Sequence, residues 1–354
     1  MKHKSITSTI RTPFNRLDIK NGRVELVHGS GGRASAQLIE MLFKTHFDND
    51  LLAQNNDQAL FAVDAGRLVM TTDSYVVSPL FFPGGDIGSL AVHGTVNDLA
   101  MGGAVPLYLS VAFILEEGLA LKVLEKIVIS MARAATEAGV KIITGDTKVV
   151  ERGKGDGVYI SSTGIGRVPS AVNFSGDQAQ PGDAIILSGS LGDHGIAIMS
   201  HRENLQFETQ IVSDSASLAD LVACMIEVVP GIRCLRDPTR GGLATTLNEL
   251  AQQSRVGMLI HENTLPIKPQ VSAACELLGL DPLYVANEGK LVCICDPNDA
   301  HKLLSVMRQH PLGHDASIIG RVLADEHAFV QMETLLGGYR MVDWLSGEQL
   351  PRIC

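Results

Sequence analysis

The sequence predicts an α/β (α+β) protein of two domains, on three observations. Its 354 residues are more than one ordinary core organises. Short apolar runs of strand length alternate with stretches whose apolar residues recur at helical spacing, in both halves of the chain. A polar turn, Gln180-Pro181-Gly182-Asp183, separates the halves. The composition, 45% hydrophobic and 19% charged, is that of a folded soluble protein.

Taken in order, residues 1–22 carry no pattern and read as an N-terminal extension. The basic start Met1-Lys2-His3-Lys4 is followed by no apolar run of signal-peptide length, and no stretch approaches a membrane span, so a cytoplasmic protein is expected. A first domain over 23–168 opens with a strand-like 24–27, the loop His28-Gly29-Ser30-Gly31-Gly32-Arg33, and a helix marked by Leu38, Ile39, Leu42 and Phe43. A strand at 68–72 ends at Asp73, and a helix from Ile87 carries Asn97-Asp98. A buried strand at 107–115 precedes a long helix marked by Leu124, Ile127 and Met131, with Gly139 closing it. A strand at 140–144 opens into a turn, Gly145-Asp146-Thr147-Lys148, and 158–164 forms another strand. The second domain, 179–333, has strands at 184–187, 258–261, 291–295 and 317–322, with helices near 217–228, 243–254, 271–278 and 299–309. Residues 337–354 read as a flexible tail, hinged at Gly337-Gly338 and ending on a thiol; fully extended it spans on the order of 50 Å.

The formal net charge of −10 argues against a nucleic-acid or acidic-membrane partner, both of which require basic patches. Six cysteines show no C-x-x-C pair. Cys293 and Cys295, two apart in a strand, share one face as buried thiols, which leaves Cys354 at the chain end as the sulfur most free to react.

The chemistry-bearing pattern is a set of aspartates beside glycines or at the ends of apolar elements: Asp57, Asp73, Asp98, Asp146 and Asp237. Magnesium takes hard oxygen ligands, commonly one or two carboxylates plus substrate phosphates. Any one of these residues taken alone reads more readily as a turn or N-cap aspartate. Gly29, Gly31 and Gly32 before a helix form a candidate phosphate cradle, although neither a P-loop nor a Rossmann fingerprint occurs. Asp237-Pro238-Thr239-Arg240-Gly241-Gly242 is a helix start suited to an anion. Lys148 follows the Gly145-Asp146 turn, and Glu288 lies in Asn287-Glu288-Gly289-Lys290, where a surface-loop charge is the default. His28 and His194 each read as structural when taken singly.

Jointly, these motifs, with Thr72-Asp73-Ser74-Tyr75 and the terminal Pro351-Arg352-Ile353-Cys354, resemble the HypE family, the carbamoyl dehydratases of nickel–iron hydrogenase maturation. The match runs in order from about Val24 to Cys354. The resemblance implies the two-domain PurM-like fold of aminoimidazole ribonucleotide synthetase, with N-terminal domains pairing in a homodimer that builds an ATP site. It implies Mg2+ on Asp57, Asp73, Asp98 and Asp237, the first of these in an Asn56-Asp57 that departs from the family's acidic pair. It implies nucleotide contacts from Gly29, Gly31, Gly32, Asp73, Asn97, Asp98, Asp146, Asp237 and Arg240. A HypF-like carbamoyltransferase would load Cys354, and ATP-driven dehydration would follow, with Glu288 as base and Lys148 orienting the amide or stabilising the departing oxygen. Cyanide would then pass to a HypC–HypD scaffold. Arg352 would favour the Cys354 thiolate and the terminal carboxylate oppose it. Two rival readings are a synthetase of the same superfamily acting on a free small molecule, which needs no terminal cysteine, and a nucleotide-binding scaffold whose tail docks a partner.

Overall fold

Strand alternation builds the first domain. The structure, a computed structural model, describes residues 17–30, 33–54, 61–62, 66–203, 210–345 and 352–354; Gly31, Gly32, Asn56, Asp57 and Pro351 lie outside them. Helical turns α1 (Arg33–Leu38), wider turns over Ile39–Phe43, and α2 (Lys44–His46) run on as the expected helix. Then come β1 (Arg67–Tyr75), a ribbon of β2 (Phe81–Phe82) and β3 (Gly85–Asp86), α3 (Ile87–Met101), β4 (Val105–Glu116), α4 (Leu121–Glu137), β5 (Lys141–Val150) and β6 (Val158–Val168). Four strands form one sheet in the order β1-β6-β4-β5, antiparallel except for β4 with β5. Tyr75, Leu109, Val111, Phe113 and Leu115 point from its inner face into a core completed by Leu90, Ile127 and Met131.

Helix α3 is covered almost all round, as an apolar helix between two layers must be. Its N-cap Asp86 accepts bonds from the backbone N–H groups of Gly88 and Ser89 at 2.7 and 3.1 Å. Only His93 and Asp98 on it escape full burial. Ala100 and Met101, at its end, join a core of the second domain, which sets Asp98 at the junction.

The second domain contains β7 (Ala184–Leu187), α5 (Asp193–Arg202), α6 (Ala219–Val228), β8 (Cys234–Arg236), α7 (Gly242–Ser254), β9 (Gly257–His261), α8 (Pro269–Leu278), β10 (Val292–Cys295), α9 (Pro297–Gln309), β11 (Ser317–Leu323), β12 (Val330–Glu333) and β13 (Tyr339–Met341). Its sheet order is β13-β12-β9-β11-β7-β10-β8. The runs in β7 and β10 are buried on both faces, with α7 packing on one side and α6 and α9 on the other.

Four expectations change. Residues 26–28 form a 3-10 turn rather than a strand, because His28 Nδ1 accepts the Glu25 N–H at 2.9 Å. Gly145 to Lys148 is no turn: β5 runs straight through it, and Gly145 is required because a Cβ there would collide with the Val111 carbonyl of β4. Gly337-Gly338 is no hinge but the bend of the β12–β13 hairpin, and Val342 beyond it is buried in the core. β1 continues past Asp73 to Tyr75. All six cysteines are free, and Cys293 and Cys295 are buried. Among the described residues no helix is long and apolar enough to cross a membrane.

Candidate active site

The junction of the two domains holds a cavity of about 640 Å³ whose walls include Asp73, Asp98, Asp237, Arg240, Glu288 and Cys354. β1 supplies Asp73 and α3 supplies Asp98, whose Oδ2 accepts the Thr71 hydroxyl at 2.7 Å. Asp237 follows β8, and the chain then turns through Gly241 (φ 73°) and Gly242 (φ 59°) into α7, presenting Arg240 at the mouth.

Carboxylates crowded out of water hold their protons more tightly. Burial and then the neighbouring Asp73 raise the pKa of Asp98. Burial, followed by Asp98, pushes Asp237 up to about 7. Glu288 rises well above the usual carboxylate range, from burial first and then Asp237 and Asp214. The cavity is thus short of positive charge and rich in hard oxygen donors, which suits a divalent cation. Among the described residues no three His, Cys, Asp or Glu side chains stand close enough to hold a metal by themselves. That spacing fits magnesium shared between one or two carboxylates and phosphate oxygens.

Glu288 is no surface-loop charge, being only 3% exposed. Its loop is held by Asp214, which accepts the N–H groups of Glu288 and Gly289 at 3.1 and 3.2 Å and pairs with Lys290 Nζ at 3.1 Å. A side chain at 289 would collide with the Asp214 carbonyl, which explains the glycine. Buried Asn287 ties the same loop to Gly192, Pro238 and Val285. Asn97, expected at a nucleotide, is committed here instead: its amide donates to the carbonyls of Ala216 and Glu288, and its oxygen accepts the Leu218 N–H. Asp214 was missed because it lies 74 residues from Glu288 in sequence.

Cys354 is not an exposed end. The Val76 N–H donates to its main-chain carboxylate oxygen at 3.1 Å, the Ser78 N–H donates to the Arg352 carbonyl at 3.1 Å, and Ile353 is buried in the first-domain core. Burial, then Glu288, pushes the thiol up to about 12, opposed by Arg240. The cation facing the sulfur is therefore Arg240 and not Arg352, whose guanidinium pairs with Asp156 and the Val76 carbonyl.

Lys148 and Asp146 do not reach this cavity. They pair at 2.7 Å on β5, beside a second cavity of about 260 Å³ that His28 and Gly29 also line. Gly29 is packed so tightly on β5 that a Cβ would collide with the Val149 backbone. β1 and β5 are opposite edges of a four-stranded sheet, roughly 14 Å apart at about 4.8 Å per strand. In the cross-strand register Asp146 lies level with Ala112, Ser161 and Ser74, on the sheet's outer face. That face exposes Leu68 (50%), Met70 (72%) and Ile114 (44%).

Residues 55–168 match the model of the AIR synthase related protein, N-terminal domain, and 180–333 that of its C-terminal domain. The chain is 64% identical over 351 residues to carbamoyl dehydratase HypE of Cupriavidus necator, covering 99% of this chain and 100% of that one. The chain belongs to the HypE family of carbamoyl dehydratases. A crystal structure of hydrogenase maturation protein HypE in complex with ATP superposes with a TM-score of 0.90 at 54% identity, covering 93% of this chain and 99% of that one. A HypE–HypF complex matches at a TM-score of 0.77 and 49% identity, over 87% of this chain and 99% of that chain. Within the HypE family, then, this chain keeps a carboxylate-walled cavity at its domain junction and seats its own C-terminus there.

Proposed function

We propose that this chain dehydrates a carboxamide carried on the Cys354 thiol to a thiocyanate, using ATP, and so supplies the cyanide ligand for a nickel–iron hydrogenase. One observation carries the reading: the chain's own terminal sulfur lies in a cavity with Asp73, Asp98, Asp237 and Glu288. An amide oxygen is a very poor leaving group until it is phosphorylated. The amide oxygen bonds to the γ-phosphorus, ADP departs with the electrons of the broken P–O bond, and one proton leaves nitrogen. The C–O bond then breaks, phosphate takes its electron pair, and loss of the second N–H proton completes the C≡N bond.

Glu288 is the base for the amide nitrogen; its burial among carboxylates gives it the necessary affinity for a proton. Asp73, Asp98 and Asp237, with Asp57, would hold Mg2+ beside the nucleotide phosphates, where it would supply positive charge to the γ-phosphate. Arg240 at the start of α7 would contact the nucleotide's anionic groups, and the Gly29, Gly31 and Gly32 loop, whose Gly29 lies against β5, would do so from a second copy. Lys148 and Asp146 enter from a second copy. Its apolar outer sheet face, pairing with this one in a homodimer, brings β5 of one chain toward β1 of the other. A HypF-like carbamoyltransferase loads the thiol and a HypC–HypD scaffold receives the cyanide, both in the cytoplasm; the HypE–HypF complex of a relative supports the first partner.

Intact-mass spectrometry of the carbamoylated protein tests the proposal. Adding ATP and magnesium is expected to remove the mass of one water from the C-terminal peptide; an unchanged mass would sink it.

A further inference from the structure

Two side chains of α5 grip the docked tail by its backbone. His194, fully buried, contacts the Ile353 carbonyl through Nε2 at 2.6 Å, and eight residues later Arg202 Nη2 donates to the Arg352 carbonyl at 2.9 Å. A carbonyl only accepts, so Nε2 carries the ring proton, and Nδ1 faces the Ser213 hydroxyl at 2.8 Å. The ring stands edge-on to Phe82, with centroids 5.6 Å apart. Ser213 also accepts the Ser215 N–H, and its neighbour Asp214 is the residue that holds the Glu288 and Gly289 backbone. One short segment, 213–216, is therefore bonded on one side to the tail, through His194, and on the other to the loop that carries Glu288. It is fixed to the first domain by Ser215 on His93 and by Asn97 on Ala216.

We propose that His194 is a positioning residue: with Arg202 it latches the C-terminal segment into the cavity, and through Ser213 and Asp214 it makes tail docking and the placement of Glu288 a single event. The latch recognises backbone carbonyls and ignores the sulfur. It therefore closes equally on the free and the loaded tail, and release for loading has to break two bonds to α5. The significance for the reaction rests on the reading of Cys354 as substrate carrier, but the presence of a latch does not.

Alkylation of the Cys354 thiol by iodoacetamide, read by peptide mass spectrometry, reports tail opening directly. Removing one net hydrogen bond of about 1.4 kcal/mol raises the open population, and so the alkylation rate, about tenfold in His194→Leu. Arg202→Ala, which also removes the bonds from Arg202 to the Ser78 carbonyl at 3.1 and 2.6 Å, is expected to raise it at least as much. His194→Gln, which keeps an amide donor near the Nε2 position, returns the rate toward that of the unaltered protein. Buried Cys275 and Cys293 are the internal controls. In the dehydration assay His194→Leu lowers turnover while transferase loading proceeds at its normal rate or faster. Alkylation unchanged in both variants overturns the latch, as does equal acceleration at Cys275 and Cys293, which would mean general loosening. A deprotected Cys354 in a protein that never loses water would uphold the latch and remove the dehydratase reading.

Discussion

At Cys354 two tendencies oppose one another. A nucleophile that accepts a carbamoyl group has to be a thiolate, yet the docked sulfur, buried beside Glu288, is pushed from the ordinary 9.0 to about 12. Docking therefore favours the neutral thiol: its stability is fully present below pH 9 and is lost as pH rises toward 12. Alkylation through the undocked tail is expected to climb about tenfold per pH unit, and to go on climbing past pH 9, where a free peptide ending Arg352-Ile353-Cys354 levels off. A profile that levels off with the peptide would show that the sulfur is not held in the acidic cavity. If Cys354 carries the carboxamide, loading requires the tail to leave the cavity, and carboxylates that raise the thiol's pKa are no obstacle to a thioester-like sulfur, which carries no ionisable proton. The residue types were legible in the sequence and their surroundings were not. Arg352 is adjacent to Cys354 in the chain, yet its side chain turns to Asp156, while Arg240, more than a hundred residues away, faces the sulfur.

At the scale of elements, the apolar runs fixed strand centres well because each face of a sheet demands its own side-chain period. β7 is found at the expected 184–187. Two of the four failures fall on glycines. Gly145 looked like a turn, but in β5 it serves close approach to β4 at the irregularity beside Leu109 and Ser110. Gly337-Gly338 looked like a hinge and proves to be a hairpin bend, so the chain as far as Val342 belongs to the second domain. Glycine reports that a backbone is crowded or turned, without saying which. Gly145→Ala separates the two readings. A turn residue with ordinary φ would tolerate the methyl, whereas a collision with the Val111 carbonyl is expected to cost about 1–3 kcal/mol in urea unfolding. Stability within about 0.5 kcal/mol of the parent protein would argue for a looser β4–β5 pairing.

At the scale of the molecule, one chain assembles only part of the expected site. Asp73, Asp98, Asp237, Arg240, Glu288 and Cys354 meet in one cavity, while Lys148 and Asp146 stand on the far edge and outer face of the first sheet. No sequence pattern could have revealed that split, because spacing along a chain says nothing about which copy a residue serves. If the outer faces of two copies pair, Lys148 acts on the neighbour's tail, and lesions in Lys148 and Glu288 should complement. Lys148→Ala and Glu288→Gln are each expected to lower dehydration about 10²-fold or more as pure proteins. After the two are mixed and the dimers exchange, half are hybrids. In each hybrid, one cavity takes intact Glu288 from one chain and intact Lys148 from the other, while the second cavity has neither. About a quarter of all cavities then regain full function, a recovery far above either parent and readable by the same intact-mass assay. If Lys148 instead served its own chain's cavity, every cavity in every hybrid would still lack one group, and mixing would restore nothing. Met70→Asp, on the exposed apolar face, should abolish the recovery by preventing exchange into pairs, while leaving the fold of each chain intact.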